Sequence, residues 1–366
     1  MPTLPGRYIW VLAGCVAAGL VARPLALAHI PITTTVEFNR EVIRILERRC
    51  LSCHGNTGAA MSLATYDEAR PWAEAIKEEV LARRMPPWRP VRGYGHFLND
   101  NSLSDHELAY LVSWAEGGAP EGATAAARAS AVHDDHRLAG DAVLNAEAVE
   151  VPAYSSPFER MLLIDPETTE DRWFDRIQWD PGDPSVVESA FVFVEPSGQW
   201  VGTWLPWSEH AVRPIGTGYF LPAGSTMRVE VRYRGGEDDR VDAGALVLDF
   251  AEEPPIPMRQ LEIAGALGPA GGAGLWRGEL MLAESVRIFA LRPEISEGAE
   301  SLEIRALLPD GASRVLLWML ADRADSQAGY VLAEPLILPA GTRLILAVHH
   351  VGAPPAGVPR VLVSAY

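Results

Sequence analysis

Cysteine is scarce in this 366-residue chain. There are three, and Cys15 lies in the N-terminal segment, so the remainder of the chain carries only Cys50 and Cys53. A disulfide framework of the kind that holds small secreted domains together is therefore excluded. The length is sufficient for two or three domains of ordinary size, each with a hydrophobic core of its own.

Basic residues are also few, with 31 lysines and arginines against 48 acidic residues and a formal net charge of −17. A field of this sign repels the phosphate backbone of nucleic acids and the surface of an anionic bilayer. We therefore expect no nucleic-acid partner. The same field favours docking of a protein with a basic surface, although it also serves solubility.

Long apolar runs are confined to the N-terminus, where residues 8–22 form a stretch shorter than the roughly 20 residues of a membrane-spanning helix. Arg7 precedes this run, and residues 26–28 (Ala-Leu-Ala) offer a small-residue cleavage site. Residues 1–28 are thus predicted to be a signal peptide, which implies a periplasmic or other extracytoplasmic protein. A lipid anchor at Cys15 is the alternative, because the residues before it resemble a lipoprotein box. Cleavage there would leave an apolar tail, which favours the signal peptide.

The sequence Cys50-Leu51-Ser52-Cys53-His54 contains a CxxCH motif. Thiols separated by two residues can each add to one vinyl group of a haem, and the imidazole that follows can then bind the iron. Cys50 and Cys53 are accordingly predicted to be the thioether anchors of one covalent haem c, and His54 its proximal iron ligand. Similar spacings occur in zinc and redox sites, so the surrounding sequence has to decide between these chemistries.

Helix signals surround this motif between residues 36 and 120. An apolar stripe predicts a first helix that ends at Arg49, directly before the motif. Two later helices are predicted from residue pairs with capping-box spacing, Thr65 with Glu68 and Ser104 with Glu107. Pro86 and Pro87 end the helix that precedes them, because proline has no amide donor.

Met85 is the predicted sixth ligand of the haem iron. It enters a rigid Pro-Pro turn downstream of His54, and a thioether ligand raises the haem potential. Met61 and His96 are the alternatives. Met61 is closer to the motif in sequence, whereas His96 would give a bis-histidine site of lower potential. Met85 could instead be a gap-filling residue of a hydrophobic core.

This layout resembles a class I cytochrome c, in which one helix runs into CxxCH and another follows a methionine loop. The resemblance implies an all-α haem domain over residues 29–120. Residues 121–150 are rich in alanine and polar side chains, and this composition is typical of a linker.

After residue 151 the chain changes to short runs of alternating or β-branched residues, separated by Gly, Pro and Asp. Strands at this spacing, with few helical stretches between them, predict sandwiches or jelly rolls. A proline-rich interruption near residue 252 divides them into two β-sandwich domains, residues 151–252 and 253–366. Pro222-Ala223-Gly224 and Pro339-Ala340-Gly341 each precede a strand, which indicates an internal repeat.

A wider family resemblance rests on several segments. They are the haem motif, Ala69-Arg70-Pro71-Trp72, Arg84-Met85-Pro86-Pro87-Trp88, Tyr94-Gly95-His96-Phe97 and the two Pro-Ala-Gly strand entries. Together they resemble a bacterial group in which a cytochrome c domain is fused to a two-domain jelly roll. That jelly roll is similar to the copper type II, ascorbate-dependent monooxygenases such as peptidylglycine α-hydroxylating monooxygenase. The resemblance implies copper sites of histidines and one methionine, since imidazole binds both copper oxidation states.

The chain departs from that resemblance at each histidine motif that can be placed. The corresponding segments are Val187-Glu188-Ser189-Ala190-Phe191, Val231-Arg232-Tyr233-Arg234 and Glu294-Ile295-Ser296. Glutamate and serine cannot rebuild such a site, and an arginine cation opposes a metal ion. Copper is therefore not expected. His210, His349 and His350 are expected to be structural, because consecutive strand residues such as His349 and His350 face opposite sides.

The expected fold class is thus multi-domain, with an all-α cytochrome c domain followed by all-β tandem jelly-roll or sandwich domains. The expected function is that of an exported monohaem c-type cytochrome that transfers single electrons to or from a redox protein. Its degenerate monooxygenase-like β-domains would be a scaffold or a docking surface, and no catalytic residue is predicted. Two alternatives stay open, a haem-bearing accessory subunit of a membrane-associated complex and a copper-dependent monooxygenase fed by its own haem.

Overall fold

The computed structural model of the chain describes residues 33–55, 60–123, 140–208, 213–265, 274–295, 298–320, 328–351 and 358–366. The predicted signal peptide with Cys15 lies outside these ranges, as does His210. Of the described residues, 45% form strands and 16% form helices.

The described strands build two units, each with two facing sheets. The first unit contains β1 (Ala142–Asn145), β2 (Val149–Val151), β3 (Phe158–Ile164), β4 (Arg172–Asp180), β5 (Val187–Glu195), β6 (Gln199–Trp204), β7 (Thr217–Leu221), β8 (Thr226–Tyr233), β9 (Arg240–Asp242), β10 (Ala245–Phe250) and β11 (Ile256–Pro257). A 3₁₀ turn, Pro184–Val186, precedes β5. Its sheets have the orders β1-β10-β4-β7-β11 and β3-β8-β5-β6, and β2 pairs with β9 beside them.

The second unit contains β12 (Arg259–Ala264), β13 (Leu275–Met281), β14 (Val286–Glu294), β15 (Ala299–Leu307), β16 (Ser313–Leu320), β17 (Tyr330–Leu338), β18 (Arg343–His350) and β19 (Arg360–Ala365). Its sheets have the orders β12-β19-β14-β17 and β13-β18-β15-β16. All the strand pairs within these two sheets are antiparallel.

The strand order identifies both units as jelly rolls. When β2, β9 and the short β11 are set aside, each unit has eight strands in the sheet orders 1-8-3-6 and 2-7-4-5. This order pairs the first strand with the last and nests two Greek keys, which is the jelly-roll arrangement. The predicted tandem jelly rolls are therefore confirmed. We call them jelly roll 1 (β1 to β11) and jelly roll 2 (β12 to β19).

Alternation of side chains produces these strands. Along β8, every second residue from Met227 to Tyr233 is buried, while the residues between them are half-exposed. This period of two is what a sheet with one face on a core requires. Tyr233 completes the buried face, and its hydroxyl donates to the buried Asp242 carboxylate at 2.8 Å.

The two Pro-Ala-Gly segments occupy equivalent places in the two jelly rolls. Each leads into the seventh strand, β8 in one case and β18 in the other. Gly224 and Gly341 have φ values of +71° and +81°, in the left-handed region that favours glycine. The residues that follow, Ser225 and Thr342, are both buried. The internal repeat indicated by the sequence thus corresponds to two copies of one strand connection.

The described helices are short and lie before the jelly rolls. They are α1 (Ile43–Arg49), which continues a π-helical turn (Phe38–Val42), α2 (Leu51–His54), α3 (Tyr66–Ala69), which leads through a 3₁₀ turn (Arg70–Trp72) into α4 (Ala73–Leu81), and α5 (Asp105–Glu116). The capping boxes predicted for α3 and α5 are both present. Their apolar faces pack together around Phe38, Leu46, Leu111 and Trp114.

Glu107 ties the start of α5 to the end of α1. One carboxylate oxygen accepts the Ser104 amide at 2.7 Å, and the other lies 3.3 Å from Arg48 and 3.4 Å from Arg49. Burial raises the pKa of this carboxyl, but the Ser104 hydrogen bonds and the two arginine charges outweigh it, so the pKa of Glu107 lies below its ordinary value.

The prediction of a separate all-α cytochrome c domain over residues 29–120 is wrong. Helix is a minor component, and the chain between α4 and α5 belongs to jelly roll 2. Residues 86–99, which we call the edge segment, hydrogen-bond to two strands of that unit. Val91 N donates to Trp318 O at 2.7 Å on β16, and Leu98 N donates to Val331 O at 2.8 Å on β17.

The edge segment explains why the helices do not form an independent domain. Both β16 and β17 are edge strands, and an uncovered edge exposes a row of unpaired backbone groups. The edge segment pairs with those groups, and its Trp88 and Phe97 enter the core of jelly roll 2. Trp88, Phe97 and Tyr330 form one aromatic cluster with ring centroids 5.4–5.9 Å apart. The helical segment is therefore anchored in the β-structure.

The two jelly rolls also pack against each other. Phe289, Ala290 and Leu362 of jelly roll 2 join the core of jelly roll 1. Arg292 on β14 is buried in this contact, where its guanidinium lies 3.2 Å from Glu230 and 4.2 Å from the Phe191 ring centroid. Among the described helices, none has the length and apolar character needed to cross a bilayer.

Candidate functional site

The CxxCH motif occupies one tight turn after α1. Cys50 ends α1, with its amide donating to Leu46 O at 2.8 Å, and α2 carries the rest of the motif. The amides of Cys53 and His54 both donate to Cys50 O, at 3.0 and 2.8 Å. These bonds hold the two thiols and the imidazole on consecutive parts of a single turn. Cys50 also packs against the apolar core of the helical segment.

The imidazole of His54 is oriented by a backbone acceptor. Its Nδ1 lies 3.0 Å from the carbonyl oxygen of Met61. A carbonyl can only accept, so Nδ1 carries the hydrogen and Nε2 keeps an unprotonated lone pair. The chain that supplies this carbonyl is itself held, because Leu63 N donates to His54 O at 2.7 Å. Burial lowers the pKa of His54, although the Met61 bond opposes it, so the ring is neutral at neutral pH.

Both thiols of the motif are protonated at neutral pH. Burial raises the pKa of Cys50 to about 12, and the neighbouring Cys53 adds to the effect. Burial also raises the pKa of Cys53; a Ser52 hydrogen bond opposes the rise, and the charge of Glu188 at the start of β5 adds to it. Reactive dithiols in redox enzymes have lowered pKa values instead.

The motif side chains do not converge as a zinc site would require. Within the described ranges, no group of three or more His, Cys, Asp and Glu side chains is arranged to hold a metal ion. Two thiols and an imidazole on one turn are the donor set that a covalent haem uses, since the haem has its vinyl carbons and its iron at separate points. The donor set therefore fits a covalent haem c.

Three residues are candidates for the sixth ligand of the haem iron, and they lie in different parts of the structure. Met85 follows α4, where its amide donates to Glu79 O at 3.3 Å, and its side chain is 39% exposed. Met61 is 44% exposed and also supplies the carbonyl that orients His54. His96 belongs to the edge segment, where its carbonyl accepts the Ala333 amide at 2.8 Å. Of the three residues, His96 is thus held at jelly roll 2 by a backbone hydrogen bond. Met85 remains the predicted sixth ligand of the haem iron.

Salt bridges occupy the positions at which the resemblance would place copper ligands. Glu188 pairs with Arg232 at 3.0 Å and also contacts Arg234. Glu294 contacts Arg292 and Arg360. Each carboxylate is thereby matched with guanidinium groups.

The two histidines of the β-region that the structure describes face opposite sides of their strand, as expected. His349 is exposed and His350 is buried, because consecutive residues of β18 face opposite sides. The predicted structural role of His210 falls outside the described residues.

Sequence reasoning missed a cavity between the two jelly rolls. Its polar lining includes Asp175, Arg213 and Tyr219 from jelly roll 1 and Ser364 from jelly roll 2. These residues are far apart in the sequence and share no motif, so only the packing of the two units brings them together. The nearest sequence signal is a run with three tryptophans, Trp200, Trp204 and Trp207, of which Trp200 lines this cavity.

Fold and site together define a tandem jelly-roll protein whose preceding helical segment carries a CxxCH turn. No family model and no curated protein matches the sequence. Among solved structures, the chain is similar to the major capsid protein P2 from bacteriophage PM2, with 13% identity, coverage of 61% of this chain and 96% of that chain, and a TM-score of 0.25. It is also similar to a variant of Bacillus subtilis oxalate decarboxylase, with 13% identity, 62% and 74% coverage, and a TM-score of 0.16. TM-scores this low support neither a fold nor a function.

Proposed function

We propose that the protein is an exported monohaem c-type electron-transfer protein, with the haem joined to Cys50 and Cys53. The observation that carries the proposal is the 3.0 Å contact between His54 Nδ1 and the Met61 carbonyl oxygen. It leaves Nε2 as the metal-binding atom of a neutral imidazole in a CxxCH turn. When bound, the haem would supply a one-electron iron couple.

The residues of the helical segment have separate roles in this proposal. Cys50 and Cys53 anchor the haem, and His54 is the proximal ligand. The Met61 carbonyl is a positioning group that fixes the imidazole tautomer and the direction of Nε2. Met85 is the proposed sixth ligand.

The jelly rolls are proposed to be a scaffold and a docking surface. The edge segment fastens the haem-bearing helices to jelly roll 2, so the scaffold holds them in one place. With a net charge of −17, the protein suits a redox partner with a basic surface. The salt bridges of Glu188 and Glu294 favour this role over copper oxygenase chemistry, because those carboxylates are already matched by arginines.

Covalent haem is the test of the proposal. The full chain, exported by a host that matures c-type cytochromes, is expected to give a pyridine haemochrome spectrum and an intact mass raised by one haem. Cys50→Ala and Cys53→Ala should each remove one thioether bond and change that spectrum. Cys15→Ala is the matched control and should leave it unchanged. Exported protein without covalent haem would overturn the proposal.

A second measurement identifies the sixth ligand. Met85→Leu should remove the far-red methionine-to-iron absorption band of the oxidised protein and lower the midpoint potential. Met61→Leu is the control, because Met61 acts on His54 through its backbone carbonyl, which leucine also has. Loss of the band in the Met61 variant alone would assign the ligand to Met61 instead.

A further inference from the structure

The cavity between the jelly rolls is lined by three parts of the chain. Its volume is about 40 Å³, which is room for about three water molecules. Jelly roll 1 supplies Trp200 and Tyr219, jelly roll 2 supplies Phe289 and Ser364, and the edge segment supplies Asn99. Small-molecule sites occur preferentially at such junctions between folded units.

One polar group in this cavity is incompletely hydrogen-bonded within the described residues. Ser364 on β19 is 4% exposed, and its hydroxyl interacts with the Tyr219 hydroxyl but makes no hydrogen bond of full geometry. Buried hydroxyls are normally fully satisfied, so an incompletely bonded pair that faces a cavity indicates a ligand or a water there. Ser364 is hence the primary contact point for a bound molecule.

Two further hydroxyls surround the same space. Tyr219 is 5% exposed, and burial raises the pKa of its phenol although the Ser364 hydroxyl and the Arg213 charge oppose the rise, so the hydroxyl stays protonated and can donate. The Thr203 Oγ1 accepts the Trp200 indole N–H at 3.1 Å, which leaves its own hydrogen for another acceptor. Together with Ser364, they give the cavity three hydroxyl donors.

The charges of the cavity cancel. Arg213 lies 3.0 Å from the Asp175 carboxylate, and it also donates to the carbonyl oxygens of Pro214 and Thr217. The guanidinium is thereby matched by one carboxylate, which disfavours a free anion or cation in the site. The lining also has an apolar part, which includes Phe289.

From this arrangement we infer that the cavity binds a small neutral polar molecule with about four non-hydrogen atoms, of the class of short amides and alcohols. Its oxygen accepts from the Ser364 and Tyr219 hydroxyls, and its methyl group lies against Phe289. An amide nitrogen would in addition donate to Asp175. The inference does not depend on the haem, because none of these residues belongs to the CxxCH turn.

Acetamide is the probe that tests this inference. The full-length protein is titrated with acetamide and, separately, with acetate, and binding is followed by saturation-transfer NMR and by crystal soaks. Acetamide should bind in the millimolar range with electron density beside Ser364, and acetate at least about tenfold more weakly because the site is neutral. Equal binding of acetate, or ordered waters only in the soaked crystals, would overturn the inference.

Three variants distinguish binding in the cavity from general effects on the protein. Ser364→Ala should weaken acetamide binding roughly five- to tenfold, the loss of one hydrogen bond. Ser225→Ala is the matched control, because Ser225 is also buried and its Oγ is unpartnered, but it does not line the cavity. Ser364→Val should abolish acetamide binding, because valine is favoured in strands and its larger side chain fills the cavity beside position 364. Unchanged affinity in a folded Ser364 variant contradicts the assignment.

Discussion

Trp88→Ala tests whether the helical segment is anchored in jelly roll 2. Trp88 is 8% exposed, and its ring centroid lies 5.9 Å from Phe97 and 5.4 Å from Tyr330. A buried aromatic removes about 150–250 Å² from water, worth about 4–6 kcal/mol at about 25 cal/mol per Å². Truncations of buried aromatics to alanine usually cost about 3–5 kcal/mol. We expect a loss of about 4 kcal/mol in the free energy of unfolding.

Native-state hydrogen exchange shows where that loss appears. Two amides of jelly roll 2 donate to the edge segment, Leu320 N to Arg89 O at 3.2 Å and Ala333 N to His96 O at 2.8 Å. Both should lose protection in the Trp88→Ala variant, because the edge segment then opens more often. Urea denaturation of the same protein gives the total change in the free energy of unfolding.

The matched control is Trp72→Ala. Trp72 lies in the same helical segment but is 42% exposed, so its removal should cost less than about 1 kcal/mol. The reasoning is refuted if Trp88→Ala accelerates exchange only within the helices and leaves Leu320 and Ala333 protected. That result would mean that the helices fold independently of jelly roll 2.

Three further predictions follow from buried contacts. Glu107→Gln should cost about 1.5–3 kcal/mol at pH 7. Because the carboxyl pKa is lowered in the folded protein, this contribution is present above the ordinary pKa of 4.5 and is lost as the pH falls through the folded-state pKa. The free energies of unfolding of the variant and the parent protein should therefore converge as the pH is lowered. Tyr233→Phe removes the donor to the buried Asp242 carboxylate and should lower the free energy of unfolding by about 1.5–3 kcal/mol in urea titrations. Gly298→Ala should lower the melting temperature, because its Cβ would lie 2.6 Å from His350 Cε1 at a φ of +87°.

Each of these predictions has a control in the same chain. Glu116 is exposed, so Glu116→Gln should leave the acid dependence unchanged. Tyr154 is 79% exposed, and Tyr154→Phe should be neutral. Gly311 has the same φ of +87° with no atom near a Cβ, so Gly311→Ala isolates backbone strain from the clash. Equal losses in variant and control would contradict the assigned contacts.

Local features of the sequence predicted local features of the structure well. The pairs Thr65–Glu68 and Ser104–Glu107 form the predicted capping boxes, because a cap depends only on residues within one turn. The run at residues 226–233 forms the predicted strand, because alternation specifies a half-buried sheet whatever its partners are. The motif at Cys50 lies on a single turn for the same local reason.

The error in the predicted fold class has a non-local cause. Pro86, Pro87 and Met85 indicate a rigid turn between two helices, and a turn of that kind is compatible with a helical haem domain. What the turn contacts is set by β16 and β17, more than 200 positions later in the chain. No pattern within residues 86–99 shows that these edge strands accept their hydrogen bonds there.

Sequence patterns alone were sufficient to predict the helix starts and most strands and to identify the CxxCH motif, since each depends on residues that are close in the chain. Tertiary structure alone decided three things. It joined the helices to jelly roll 2, it matched Glu188 with Arg232, and it gathered the residues around Ser364 into a cavity. These depend on which distant surfaces pack together, and packing is determined by the complementarity of whole sheets, which short sequence patterns do not encode.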